Sequence, residues 1–280
     1  MTDVFLPAIK QMQAEGKSVY GPESFQDYLA KNNLPKLLTA PLISVDYLEK
    51  LSPSLKEHGL MVLRLGQSQN GRGTQFVLVK ADVDSFFIRD GLSFTQTSGI
   101  GFTPEVSNVE LLAYRVFPKF SEDYFVSLAL ASGIFNYALK TDRLIANPAR
   151  GQSTFTFELR LHSSVEKIYE YRNGQVEIDS LFVGERNKEQ ILFIVEAKSN
   201  KYKSLAKHKL VYPIASLAKK VPLTVKIIPV YVRVITNKDE LHYHILECEL
   251  PDVRTNTVAI DELKPAKHTH LILSSVLNSS

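Results

Sequence analysis

The chain has 280 residues, with 33 Lys and Arg against 30 Asp and Glu, one cysteine and no tryptophan. A hydrophobic fraction of 44% supports a real core and excludes wholesale disorder, and the length allows one large domain or two ordinary ones. The densest apolar stretch, 125–135, is broken by Ser127, Ser132 and Gly133, which excludes a membrane-spanning helix there. Met1-Thr2-Asp3-Val4 lacks the layout of a secretory leader, and Cys248 has no partner for a disulfide, so a cytoplasmic location is expected.

In chain order, Val4, Phe5, Ala8, Ile9 and Met12 sit at helical spacing and predict a helix over 3–14. Pro22-Glu23-Ser24 opens a second helix, with Phe25, Tyr28 and Leu29 on one side. Ser44 is the expected cap of a third helix, which Ser52-Pro53 restarts and Gly59 ends. Residues 60–65 and 75–80 read as the strands of a hairpin, joined by a turn-rich loop that carries Arg72. Helices followed by a hairpin suggest a winged-helix-like DNA-recognition domain over residues 1–100. Gly, Ser, Thr and Pro crowd positions 91–108 and mark a soft boundary to a second domain, 101–280.

The second domain opens with a predicted helix over 121–140, started by Ser121-Glu122-Asp123. Residues 154–161 alternate as a strand with one buried face. Segments 165–171 and 175–183 flank Asn173-Gly174, the strongest short hairpin signal. A strand at 191–199 follows a polar loop, then a helix over 200–219 kinked at Pro213, then strands at 222–235 and 241–250. The fold class is α/β of the α+β kind, with a central mixed β-sheet flanked by helices.

Five apolar residues, Ile191 to Val195, run into Glu196-Ala197-Lys198. That run suits a strand buried on both faces, and charge at its end needs a reason. Strand periodicity puts Glu196 and Lys198 on one face, and antiparallel pairing can set Asp179 beside Glu196. Two close carboxylates repel unless a cation lies between them, and Mg²⁺ suits two carboxylates plus a phosphate. Lys198 can then orient a water and offset charge on a scissile phosphate. Between Lys198 and Lys220 there are seven lysines and no carboxylate, which suggests an anionic partner.

This arrangement resembles the PD-(D/E)xK nuclease superfamily, whose motif is an acid on one strand and acid-x-lysine on the next. The matching residues are Asp179 and Glu196-Ala197-Lys198, with Ile178 where proline often precedes the first acid. The resemblance implies a restriction-endonuclease-like core over about 121–250. It implies Mg²⁺ held by Asp179, Glu196 and the Ala197 carbonyl, with Lys198 as a catalytic amine. A further upstream acid is expected, for which Glu158, Glu166, Glu170, Glu122 and Asp123 compete and Glu158 is the first choice. The size and the extra N-terminal region look like a prokaryotic type II restriction endonuclease, a homodimer that cuts double-stranded DNA at specific sequences. Lys201, Lys203, Lys207, Lys209, Arg160, Arg150 and Arg72 are the expected DNA contacts, with Arg143 and Arg186 as further base readers.

Two rival readings stand beside this one: a repair, recombination or transposon-end nuclease, and a non-catalytic winged-helix regulator. Pro251-Asp252…Glu262-Leu263-Lys264 is a literal match to the same motif, but it has too little chain after it for the required helix and strand. His242 and His244 share a strand face without a third ligand and read as a surface or packing pair.

Overall fold

The computed structural model describes residues 3–68, 71, 73–95, 98–107, 109–115, 121–144, 148–237 and 239–274. Arg72 lies outside them. The architecture is mixed α+β, built on one large mixed sheet with short helices on its faces.

The N-terminal order is α1 (Leu6–Glu15), β1 (Val19–Ser24), α2 (Phe25–Lys31), α3 (Ala40–Ile43), α4 (Pro53–Glu57), β2 (Leu60–Gln67) and β3 (Thr74–Lys80). Pro22 and Glu23 fall inside a strand, where a helix opening was expected. Ser24 ends that strand and caps α2, its Oγ accepting from Asp27 N at 3.4 Å. Ser44 follows a helix instead of starting one. Ser52 caps α4 as expected, accepting from Leu55 N at 3.3 Å. The strands β1, β3 and β2 pair antiparallel.

The middle of the chain holds β4 (Phe87–Arg89), α5 (Asp90–Ser93), β5 (Ile100–Gly101) and α6 (Leu112–Arg115). The helix expected over 121–140 is two helices, α7 (Glu122–Ala131) and α8 (Ile134–Leu139). Gly133 separates them in a left-handed conformation, φ +82°, that a non-glycine residue adopts only with strain. Then come β6 (Arg143–Leu144), β7 (Ala149–Arg160), β8 (Ile168–Arg186) and β9 (Glu189–Lys198). The Asn173-Gly174 hairpin is not formed. Both residues lie within the 19-residue β8, which pairs with β7 along most of its length. Asn173 takes φ 39°, so the turn chemistry is used for a bend in a continuing strand. The real reversal is at Asn187-Lys188, both at positive φ, as a primed hairpin turn requires.

After β9 come β10 (Ser204–Ala206), α9 (His208–Leu217), β11 (Lys226–Asn237), β12 (Glu240–Glu249) and β13 (Lys264–Leu273). The basic helix expected over 200–219 is therefore a loop, a three-residue strand and a ten-residue helix that keeps Pro213 inside. The last strand was not expected.

The sheet order is β1-β3-β2-β8-β9-β11-β12-β13-β5, with β6 and β7 also on β8. β9 is central and buried on both faces, as its apolar run predicted. Ile191, Phe193, Val195 and Ala197 face a cluster with Phe125, Leu128 and Phe135 of α7 and α8. Leu192 and Ile194 face the opposite cluster, with Leu210 and Val211 of α9. That second cluster also holds Phe5, Phe25 and Phe76, so the N-terminal elements share a core with the β8–β9 region.

Candidate functional site

The site forms where β8 and β9 part. Their antiparallel ladder runs from Arg186↔Glu189 to Ser180↔Val195 and stops. Continuing that register sets Asp179 opposite Glu196. On its other edge β8 carries one extra residue against β7, between the pairs Gly151↔Ile178 and Ala149↔Leu181. A bulge at this position re-aims the side chains of 179 and 180. The Asp179 carboxylate then replaces a backbone acceptor: its Oδ2 accepts from Ala197 N at 3.0 Å. That hydrogen bond fixes the acid against the Glu196-Ala197-Lys198 segment while the two backbones separate.

Lys198 Nζ lies 2.8 Å from Glu196 Oε1 and 3.7 Å from Asp179 Oδ2. A second ammonium, Lys209 from the first turn of α9, lies 3.4 Å from the same Glu196 oxygen. Glu196 is 1% exposed. Burial pushes its carboxyl up to about 7, against the pull of Lys209 and Lys198 and with the push of Asp179. Burial opposes the Lys198 charge as well, but Glu196 and Asp179 outweigh it and hold that ammonium above its ordinary value. Glu196 holds Lys209 above its ordinary value too. Glu196 Oε1 is thus a buried acceptor shared between two ammonium groups.

The surrounding wall comes from distant parts of the chain. Ser199 N donates to Glu122 Oε1 at 3.3 Å, which brings the start of α7 next to Lys198. Asn200 Nδ2 donates to the Tyr47 hydroxyl at 2.5 Å, and the Tyr47 ring stacks on Tyr202 with centroids 4.6 Å apart. Across the parallel β11, Tyr231 sits opposite Glu196 and Arg233 opposite Lys198. Both hold Asp90: the Tyr231 hydroxyl donates at 3.2 Å and Arg233 Nε lies 3.5 Å away.

The remaining candidates separate into those near the trio and those elsewhere. Glu158 is exposed and pairs across the ladder with Glu170, which is nine positions from Asp179 on β8. At a strand rise of ~3.3 Å per residue that is on the order of 30 Å. The first choice for the upstream acid is thus remote, whereas Glu122 is adjacent. Arg160 is held by Glu262 at 3.0 Å and by the Thr257 carbonyl, and Arg150 is paired with Asp123 at 2.5 Å. Lys207 is buried and donates to the Asp261 carbonyl at 3.1 Å; it faces the core, away from any DNA surface. Burial pushes its ammonium down to about 8. Arg186 is paired with Glu247 at 3.0 Å. Lys201 and Lys203 are exposed in the loop after β9. The seven-lysine block is therefore not one basic face.

The second motif match is dispersed: Asp252 pairs with Arg254 and Glu262 with Arg160. His242 and His244 pack with His270, His268 and Phe94 of neighbouring segments, with His244 and His270 stacked at 4.0 Å.

Among the described residues no group of three His, Cys, Asp or Glu side chains converges as a metal site. What converges is two carboxylates, one of them buried and held by two ammonium groups that a metal ion would displace. That donor set fits Mg²⁺, which is held by one or two carboxylates, waters and a substrate phosphate; it does not fit a closed structural zinc site. No curated protein and no solved structure matches the chain. A family model described as "Domain of unknown function (DUF6997)" matches residues 101–269, which include the whole Asp179–Glu196–Lys198 trio. That match spans more than half of the chain, so the protein belongs to this family of unknown function.

Proposed function

We propose that the chain is a Mg²⁺-dependent endonuclease that hydrolyses phosphodiester bonds of double-stranded DNA. The observation that carries this reading is the shared contact of Lys198 with Asp179 and Glu196 at the point where two strands diverge. Asp179, Glu196 and the Ala197 carbonyl are the groups that would hold the metal. When bound, Mg²⁺ polarises a phosphate oxygen and acidifies a water. Ala197 N holds Asp179 in place, and burial keeps Glu196 near its protonation midpoint at neutral pH. Release of Lys198 from Glu196 frees an ammonium to orient the attacking water and offset the charge on the phosphate.

The N-terminal order, a helix, a strand, short helices and a hairpin in a three-stranded antiparallel sheet, supports a winged-helix-like element for DNA contact. Lys201 and Lys203 are exposed cations beside the site. Action as a cytoplasmic, prokaryotic type II restriction homodimer rests on the superfamily resemblance, with each subunit cutting one strand. Digestion of a long natural duplex DNA with and without Mg²⁺, followed by sequencing of the ends, tests the proposal. Discrete recurring ends produced by the wild type and not by Lys198→Ala are expected. Intact linear, supercoiled and branched DNA after incubation with the wild type and Mg²⁺ overturns it.

A further inference from the structure

On the edge of β8 that faces β9, Arg172 pairs with Gly66 of β2 and Ser180–Arg186 pair with β9. A cleft of about 90 Å³ opens along the stretch between. Its lining includes Ser44, Asp46, Arg64, Glu177, His208 and Lys209, with Tyr171 and Tyr212 as an aromatic wall. Among the described residues, three buried polar atoms of that lining have no hydrogen-bond partner: Ser44 Oγ, Arg64 Nε and His208 Nδ1. Three such atoms in one small cleft depart from the rule that buried polar groups are satisfied.

Arg64 Nε can only donate, and the Ser44 hydroxyl and the His208 ring nitrogen can each donate, so all three suit the oxygens of an anion. Among the described residues no carboxylate lies within ion-pairing distance of Arg64, whose Nε is buried although the side chain as a whole is half-buried. Of the two carboxylates present, Asp46 supports the Lys209 charge and Glu177 is exposed. His208 and Lys209 are the first two residues of α9, whose start has no side-chain cap and no acidic residue in its first turn. The first turn of that helix thus lies at the cleft, where its positive end favours a nearby anion. A guanidinium, a hydroxyl, a ring nitrogen and a helix start together match the oxygens of a phosphate.

We infer that this cleft is a second phosphate site, which seats a neighbouring phosphate of the DNA strand while the Asp179–Glu196–Lys198 centre acts on the scissile one. The inference rests on the nuclease reading, and Lys209 joins the two sites by lining the cleft and touching Glu196 at 3.4 Å.

Calorimetric titration of the metal-free full chain with inorganic phosphate tests it. Saturable binding is expected for the wild type and, within about twofold, for Asp179→Asn. Arg64→Gln should weaken binding tenfold or more. Ser44→Ala should weaken it about threefold, and it carries the test if the arginine variant does not fold. Duplex DNA should displace the phosphate. Absence of saturable binding by the wild type, or equal affinity in the Arg64 and Ser44 variants, overturns the site. Phosphate that binds but is not displaced by DNA overturns the DNA assignment and leaves a free phosphate compound as the ligand. If the protein binds phosphate but never cleaves DNA with Mg²⁺, the nuclease reading alone fails.

Discussion

Replacing Lys198 by methionine tests the electrostatics of the site with stability and activity read separately. The side chain is 10% exposed, and its ammonium lies 2.8 Å from Glu196 and 3.7 Å from Asp179. At an effective dielectric of about 20, each contact is worth roughly 4 to 6 kcal/mol before desolvation is subtracted. Removal of one partner from a buried pair costs roughly 3–5 kcal/mol, because a charge is left behind. The loss should depend on pH. Glu196 is already raised to about 7, so ionising it costs stability progressively as pH climbs from the ordinary carboxylate range through 7. Without Lys198 its value rises further, and at pH 5.5 the residue is a neutral acid that needs no cation. Lys198 itself is raised, so in the wild type it stays charged throughout this range and loses its proton only in strong alkali. Denaturant unfolding should therefore show a destabilisation of about 3 kcal/mol at pH 8 and about 1 kcal/mol at pH 5.5. In the same variant Mg²⁺-dependent cleavage should fall by a factor on the order of a hundred or more. Equal destabilisation at the two pH values, or less than about 1 kcal/mol at pH 8, refutes the electrostatic account. Undiminished cleavage removes Lys198 from the chemistry even if the stability result holds.

Glu196→Gln should abolish cleavage at any Mg²⁺ concentration, whereas Glu158→Gln should stay within about twofold of the wild type; Glu122→Gln should lose more than Glu158→Gln in the same gel assay. Lys207→Met should be neutral to about 2 kcal/mol stabilising at pH 7 in thermal unfolding, since a buried ammonium already pushed down to about 8 is replaced by an apolar chain. It should leave DNA affinity unchanged, while Lys201→Ala should reduce the salt dependence of binding by about one ion. Gly66→Ala should destabilise by about 3 kcal/mol or more in denaturant unfolding, because φ is +77° and an added Cβ collides with the Arg172 carbonyl oxygen. An unchanged midpoint there would show that β2 and β8 separate freely.

The sequence alone determined the strongly patterned parts. The apolar run into Glu196 made a central strand with one face for each helical layer, because residues 191–195 leave no polar face to solvate. Period two then placed Glu196 and Lys198 on one face, and the register placed Asp179 next to them. Local chemistry misled where tertiary pairing outweighed it. Asn173-Gly174 bends inside a strand because β7 pairs with both sides of it, and the lysine block scattered once a loop, β10 and a short α9 replaced a single helix. Arg64, Ser44 and His208 lie in segments far apart in sequence, and none carries a motif. Only the opening between β2 and β9 along β8 brings them to one cleft. The same holds for Glu122, which local order marks as a helix start and only packing sets against Ser199. Local patterning fixes which face a side chain takes. Which remote side chains share a burial site, and which of their charges then lack partners, depends on how the strands separate.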